Sequence, residues 1–325
     1  MISFYLLNMA PSLIFCENSE REKYRMSKKI KWVILSLILN FISGHSFAEA
    51  PLEIQTITSS PASLHANSVL IKGEKNMVLV DVPFTRSDTY RVIADILETG
   101  KKLETVIISH DHPDHFFGLD LIIDTFPDVK IVAHPQVVKD IRHTYPIELK
   151  RWKSILGMQA PHYPGVPEAV LARGDEFWVE LEGKRIEIFG TMQGDHIRAT
   201  VIWVPSIKAL IAGDLLYNGM FLWLGEHSAS QRLAWRRSIE HIEALKPEIV
   251  VAGHKKPDMP DDLSSIKFSK HYLDIFEKSV ASSKNSNELT QKMKKAFPNT
   301  IDVAGNFLLT NSTRVAMGEM PPWED

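Results

Sequence analysis

Cysteine is nearly missing from this chain of 325 residues: there is one, Cys16. A single thiol excludes a disulfide framework and a cysteine-ligated metal, and a chain of this size needs no disulfide to hold a core. Excess basic charge is missing too. The 37 Lys and Arg stand against 40 Asp and Glu, a formal net charge of −3, which removes any electrostatic case for nucleic-acid binding. There is no long low-complexity segment and no internal repeat. No apolar run reaches the ~18–20 residues that a membrane-spanning helix needs.

The longest apolar run near the start is informative because it is short. From Met26 the chain reads MSKKIK, then WVILSLILNFI, then SGHSFAEA. A basic stretch, 11 apolar residues and small residues at the end have the layout of a secretory signal peptide, spanning 26–48, with cleavage after Ala48 or Ala50. A membrane anchor is the rival reading. Residues 1–25 precede a plausible start at Met26 and are expected to be a non-native leader, or else an unusual one. Cys16 lies there, so the exported chain would carry no thiol, as suits a periplasmic or secreted protein. Only His, Asp and Glu remain for metal chemistry.

What is abundant is imidazole in one place. In SHDHPDHFFGLD (109–120), three histidines and two aspartates occupy the six positions 110–115, directly after the apolar run TVIIS. In an extended segment His110 and His112 share a face. Asp114 and His115 follow at the expected start of a helix. These nitrogen and oxygen donors are the ones zinc prefers. A solvated His/Asp-rich loop is the competing reading. Three further apolar segments end in a metal-capable residue: GDH (194–196), IAGD (211–214) and IVVAGH (249–254).

Elsewhere strand pairs mix with strand–helix units. SVLIK and NMVLVDV read as a hairpin about Gly73, and EFWVELEGKRIEIFG as two strands about Glu182-Gly183. SDTYRVIADILETG has helical spacing with Ser87 or Asp88 as its cap, PQVVKDIRH reads as a short helix, and SASQRLAWRRSIEHIEAL as a long one. Stacked sheets flanked by helices follow. Residues 135–176, rich in Pro and aromatics, either cover the site or form a surface insertion. Residues 261–325 read as a packed helical appendage without visible chemistry.

In order and spacing these elements resemble the metallo-β-lactamase superfamily, whose pattern is HxHxDH, a His, a bridging Asp and a last His; the likeness covers roughly residues 65–260. The resemblance implies an α/β four-layer αββα sandwich with a catalytic domain over 51–260 and two zinc ions at a sheet edge. His110, His112 and His196 would bind one ion and Asp114, His115 and His254 the other, with Asp214 bridging. It implies hydrolysis by a hydroxide held between the ions, with Asp114 orienting it and carrying its proton. Asp81 matches a recurrent family aspartate that buttresses the histidine loop, and Gly194, Gly213 and Gly253 permit tight turns beside the ions. Tyr217 stands where similar lactonases carry a tyrosine that donates to the substrate oxygen; a core aromatic is its other reading. Phe221 and Trp223 are expected to form an apolar wall. His65, His134, His143, His162, His227, His241 and His271 fall outside the pattern, His227 being the best placed to line a pocket. The expected activity is hydrolysis of a carboxylic ester or lactone, the alternatives being a β-lactamase and a non-catalytic zinc-binding protein. The expected partner is a small-molecule substrate, with no nucleic acid and no stable membrane insertion.

Overall fold

A computed structural model describes residues 50–173 and 176–323, and the expected leader and signal peptide lie outside them. Residues from Pro51 onward form one compact unit. No helix among the described residues is long and apolar enough to cross a membrane.

The first sheet runs in the order β1 (Glu53–Thr58), β2 (Asn67–Lys72), β3 (Asn76–Val80), β4 (Lys102–Ile108), β5 (Lys130–Ala133), β6 (Glu168–Ala169). The second contains β7 (Ala172–Arg173), β8 (Glu176–Leu181), β9 (Lys184–Met192), β10 (Ala199–Val204), β11 (Ala209–Ile211) and β13 (Ile249–Val251). Two short strands, β12 (Tyr217–Asn218) and β14 (His254–Lys255), pair separately.

Period-two alternation explains the layering. Val69, Ile71, Val78, Val80 and Ile107 meet Ile186, Ile188, Ile202, Val204 and Ile211 between the sheets. Their neighbours Leu70, Met77, Leu79, Val106 and Ile108 point the other way, under α1 (Arg86–Glu98), α2 (Leu119–Thr125) and α3 (Pro135–Leu156). On the far side Val201, Leu210 and Val250 are covered by α4 (Ala229–Glu243), α5 (Ser264–Ser282), α6 (Ser286–Ala296) and α7 (Phe307–Ala316). The result is the αββα sandwich.

Three local expectations are corrected. Helix α1 starts at Arg86, capped by Thr85, whose Oγ1 accepts from the Asp88 N–H at 3.3 Å, so neither Ser87 nor Asp88 is the cap. Asp114 and His115 sit in a 3-10 turn, and the α-helix after them begins only at Leu119. Helix α3 is 22 residues long, not short, because it runs through Pro146. An interior proline costs about 3 kcal/mol. The buried stripe Val137, Val138, Ile141 and Tyr145 supplies more than that, at ~1.5–3 kcal/mol per large side chain. The expected Glu182-Gly183 turn forms, with both residues at positive φ (48° and 74°).

Glu182 also ties the two sheets together. Its carboxylate accepts from the backbone N–H groups of Glu74, Lys75 and Asn76 at 2.7, 2.7 and 2.8 Å. Those bonds, Lys75's foremost, hold its pKa below the ordinary 4.5. A depressed carboxylate contributes stability above its unfolded-state pKa and loses it as pH falls through the folded value. Wild type is therefore expected to melt above Glu182→Gln at neutral pH, with the gap closing as pH drops below 4.5. A gap independent of pH in paired thermal melts would contradict this.

Candidate metal centre

The HxHxDH loop leaves β4 at the edge where parallel neighbours β3 and β4, and β11 and β13, all end. Asp81 closes β3 at a positive φ of 59°, a conformation Asp tolerates better than most residues. Its carboxylate accepts from the Ser109 N–H (2.8 Å) and Ser109 Oγ (2.7 Å) and stands 2.8 Å from His115 Nδ1. This is the buttressing expected of it: the loop is pinned and the His115 Nε2 is aimed inward.

His115 Nε2 lies 3.1 Å from Asp214 Oδ1 and 3.4 Å from His254 Nε2. His254 Nε2 is 3.0 Å from Asp214 Oδ2 and 3.3 Å from Asp114 Oδ2, while its Nδ1 is anchored 2.8 Å from the Leu64 carbonyl. Asp114, His115 and His254 thus form one buried donor group. A second gathers His110, His112, Asp195 and Asp214, all their donor atoms within 4.8 Å of one another. Asp214 touches both groups, with His110 Nε2 at 3.7 Å from its Oδ2.

The structure therefore brings together six of the seven expected ligands. His196 lies beside them: its ring is 5.6 Å from that of His112, and its Nδ1 is 3.0 Å from Asp111 Oδ1, which leaves Nε2 as its metal-capable nitrogen. The aspartate before it, Asp195, also reaches the cluster, within 4.8 Å of His110, His112 and Asp214. Its Oδ2 is 3.2 Å from His112 Nδ1 and accepts from Tyr217 Oη at 2.9 Å.

The donor set fits divalent cations. His110 Nε2 and Asp195 Oδ1 are buried with no hydrogen-bond partner, a state costing about 1–3 kcal/mol each unless a ligand meets them. The charges are also mutually strained. Burial alone would lower the pKa of His115 and His254, but the charge of Asp214 outweighs it, raising His115 well above 6.5 and His254 to about 10. Burial and the neighbouring Asp214 push Asp195 well above the usual carboxylate range.

Tyr217 belongs to the site. Its hydroxyl reaches Asp195 and also Asp214 (3.1 Å), and its ring stacks on His254 at 5.0 Å between centroids. Burial, and then the charge of Asp195, raise its pKa well above 10, so the phenol keeps its proton. Tyr217→Phe is expected to leave melting temperature and metal content near wild type and to lower kcat by on the order of ten- to a thousandfold, with KM little changed. Equal kcat would make Tyr217 a packing residue.

Above the donors lies a cavity lined by Leu64, Phe84, Trp152, Trp223, Phe307 and Trp323, with Glu148 and Glu226. The aromatic rings support one another. Trp223 stacks on Phe307 at 5.2 Å, Trp323 meets Phe307 edge-on at 5.6 Å, and Phe84 meets Trp152 edge-on at 5.3 Å. Trp152 and Glu148 come from α3, so the 135–176 segment does line the site. Phe307 and Trp323 come from the C-terminal segment, which was expected to carry no chemistry. Of the expected apolar wall, Trp223 is present. Phe221 instead packs in the core against Tyr272. His227 is buried, its Nε2 3.0 Å from the Gly194 carbonyl, and holds the turn beneath Asp195 rather than lining the cavity.

The profile of the Metallo-beta-lactamase superfamily matches residues 63–254, more than half of the chain. The chain belongs to this superfamily, whose members are metal-dependent hydrolases. It is 24% identical over 281 residues to a "Metallo-beta-lactamase type 2" of Elizabethkingia meningoseptica, covering 81% of this chain and all of the relative. It is 25% identical over 170 residues to a "Hydroxyacylglutathione hydrolase" of Chromohalobacter salexigens, covering 52% of this chain and 54% of that one. A solved metallo-β-lactamase from Pontibacter korlensis superposes with a TM-score of 0.49 at 15% identity, over 70% of this chain and 97% of that chain.

Proposed function

We propose that this protein is an exported, zinc-dependent hydrolase of neutral carboxylic esters or lactones that carry an apolar or aromatic group. The observation that carries the choice of substrate is the charge of the cavity. Its lining holds five large aromatic residues besides Tyr217 and the carboxylates of Glu148 and Glu226, and the nearby Arg151 is already paired with Glu148 and lies over the Trp323 ring. β-Lactams and glutathione conjugates bear carboxylates, which want a cationic partner on the wall. A neutral ester or lactone wants none, and an apolar acyl or aryl part is what such rings bury.

Two zinc ions would be held by His110, His112 and His196, by Asp114, His115 and His254, and by Asp214 shared between the two sets. When bound, zinc supplies Lewis-acid polarisation of the carbonyl and lowers the pKa of water towards about 7. The chain's own residues do the rest. Asp114 lines the cavity beside His254 and takes the proton that the attacking water loses, then returns one to the leaving oxygen. Tyr217 keeps its proton and donates a hydrogen bond to the oxygen on which charge develops. The aromatic walls hold the acyl or aryl part and exclude water from the reacting carbon.

A hydrolysis screen of residues 49–325 tests this reading. Neutral lactones and aryl esters are expected to be turned over faster than thioesters of glutathione or β-lactams. Faster turnover of a β-lactam would replace the proposal with a lactamase. Export rests on the KKIK-plus-apolar layout at 28–42. Mass spectrometry of the native N-terminus is expected to find a start at Glu49 or Pro51, and an intact Met1 or Met26 on membrane-associated protein would favour an anchor.

A further inference from the structure

We propose that Glu226 is the positioning residue for His112: its carboxylate accepts the Nε2–H of that imidazole, which aims Nδ1 at the metal, and the same oxygen holds Trp223 on the cavity wall. This rests on the reading of the cluster as a binuclear metal centre and concerns how one of its ligands is held.

The two nitrogens of His112 have different surroundings. Nδ1 lies 3.2 Å from Asp195 Oδ2, on the side of the donor cluster. The nitrogens of an imidazole point outward in divergent directions, so a ring that turns Nδ1 to the cluster turns Nε2 away from it. Nε2 is buried and otherwise unsatisfied, and the carboxylate facing it is Glu226, whose Oε1 is 3.4 Å away. An imidazole that gives one nitrogen to a metal carries its proton on the other and needs an acceptor there. The remaining imidazoles of the cluster each have an oxygen at that place. Ser109 Oγ stands 2.9 Å from His110 Nδ1, Asp81 2.8 Å from His115 Nδ1, Asp111 3.0 Å from His196 Nδ1, and the Leu64 carbonyl 2.8 Å from His254 Nδ1. Glu226 completes the set for His112.

The turn that carries Glu226 is firmly held. The Trp223 Nε1–H donates to Glu226 Oε1 at 2.7 Å. The Trp223 ring folds back over Gly225, where a Cβ would lie 2.4 Å from its Cη2. The Leu224 N–H donates to Ser312 Oγ in α7 at 2.9 Å, and the Gly225 carbonyl accepts from the Trp323 N–H at 2.9 Å. The ring that walls the cavity and the imidazole that meets the ion therefore share one carboxylate oxygen. The grip of the first site on its ion depends on the seating of Trp223.

The test is zinc affinity of the metal-stripped protein, measured by competition with a chelator, together with the cobalt(II) visible spectrum; neither needs turnover. Wild type is expected to bind two ions. Glu226→Ala is expected to weaken one of them by about ten- to a hundredfold, to leave the other as in wild type and to change the cobalt spectrum. Glu226→Gln keeps an acceptor oxygen and is expected to fall between Ala and wild type. Trp223→Phe keeps a ring on the wall but removes the N–H, and is expected to weaken the same ion by a smaller factor. Circular dichroism confirms that each variant is folded, and Glu226→Gln stands in for Glu226→Ala if that variant is not. Wild-type zinc affinities in the folded Glu226 variant or in Trp223→Phe would overturn the proposal, as would equal weakening of both ions, and the binuclear reading would survive each result. A wild-type chain that binds no ion would overturn both.

Discussion

Replacing Asp214 with alanine is expected to abolish turnover and to weaken metal binding at both sites. Asp214 is a carboxylate within reach of the imidazoles of both donor groups. It lies 3.1 Å from His115 Nε2, 3.0 Å from His254 Nε2 and 3.7 Å from His110 Nε2. It also accepts from Tyr217. Its carboxylate is held well below the usual range: burial by itself would raise its pKa, and the imidazoles of His115 and His254 outweigh that. A carboxylate held in its charged form suits a bridging ligand. Without it, His110, His115 and His254 lose the carboxylate they have in common, and neither ion would have its shared ligand. Removing one member of a unit that acts together costs on the order of 10^4-fold or more in kcat. Metal analysis is expected to show at most one weakly held ion. Two ions retained with activity within tenfold of wild type would mean that the sites do not share this residue.

Glycine 253 is the second position where one atom should have a large effect. It immediately precedes His254 in the last apolar run. A Cβ built on it would lie 1.9 Å from Asp214 Oδ1 and 2.5 Å from the Gly213 carbonyl carbon. Neither neighbour can withdraw cheaply. Gly213 accepts the Gly253 N–H at 2.8 Å, and Gly253's own carbonyl accepts from the Asn67 N–H at 2.7 Å. Gly253→Ala must therefore push Asp214 out of the centre or spread the β11 and β13 ends. Overpacking of this kind costs roughly 1–3 kcal/mol. The functional loss should be larger than the loss of stability, because the displaced group is the bridge. A folded, slightly less stable protein with metal content and turnover close to those of Asp214→Ala is the expected result. A variant that melts lower but keeps both ions and its turnover would show that the strain is relieved elsewhere.

The donors were legible in the sequence to the extent that they stand at the ends of apolar runs. His110, His112, Asp114, His115, Asp214 and His254 each follow a strand whose alternation could be read. A strand end is rigidly placed, so reading the strand places the ligand. The layers were legible for the same reason: Val69, Leu70 and Ile71 alternate between two cores in a run that is apolar throughout. Asp195 was missed because it stands in a turn, where adjacent side chains have no fixed period, and the neighbouring histidine drew the reading. The signal was the Asp-His doublet itself, since both residues are donors and both lie beside His112.

The cavity was the least legible part. Phe84, Trp152, Trp223, Phe307 and Trp323 come from five separate segments. Nothing local marks Phe307 or Trp152 as a neighbour of Trp223. The length of α3 was hidden by Pro146, a penalty that tertiary packing overrides. The C-terminal helices read as an appendage because their own chemistry is plain. Their contribution is a wall: Phe307 stacks on Trp223 with 9° between the ring planes, which ties the end of the chain to the residues just after β12.

The central claim is that the buried His/Asp cluster is a metal-dependent ester- or lactone-cleaving centre. It is tested most directly by stripping the mature chain of metal and returning zinc in measured increments, while following hydrolysis of the best neutral lactone or aryl ester found. The account predicts no turnover without metal and a rise that levels off at about two zinc ions per chain. Turnover by the metal-free chain at the restored rate, or full zinc binding without hydrolysis of any substrate in the screen, would contradict it.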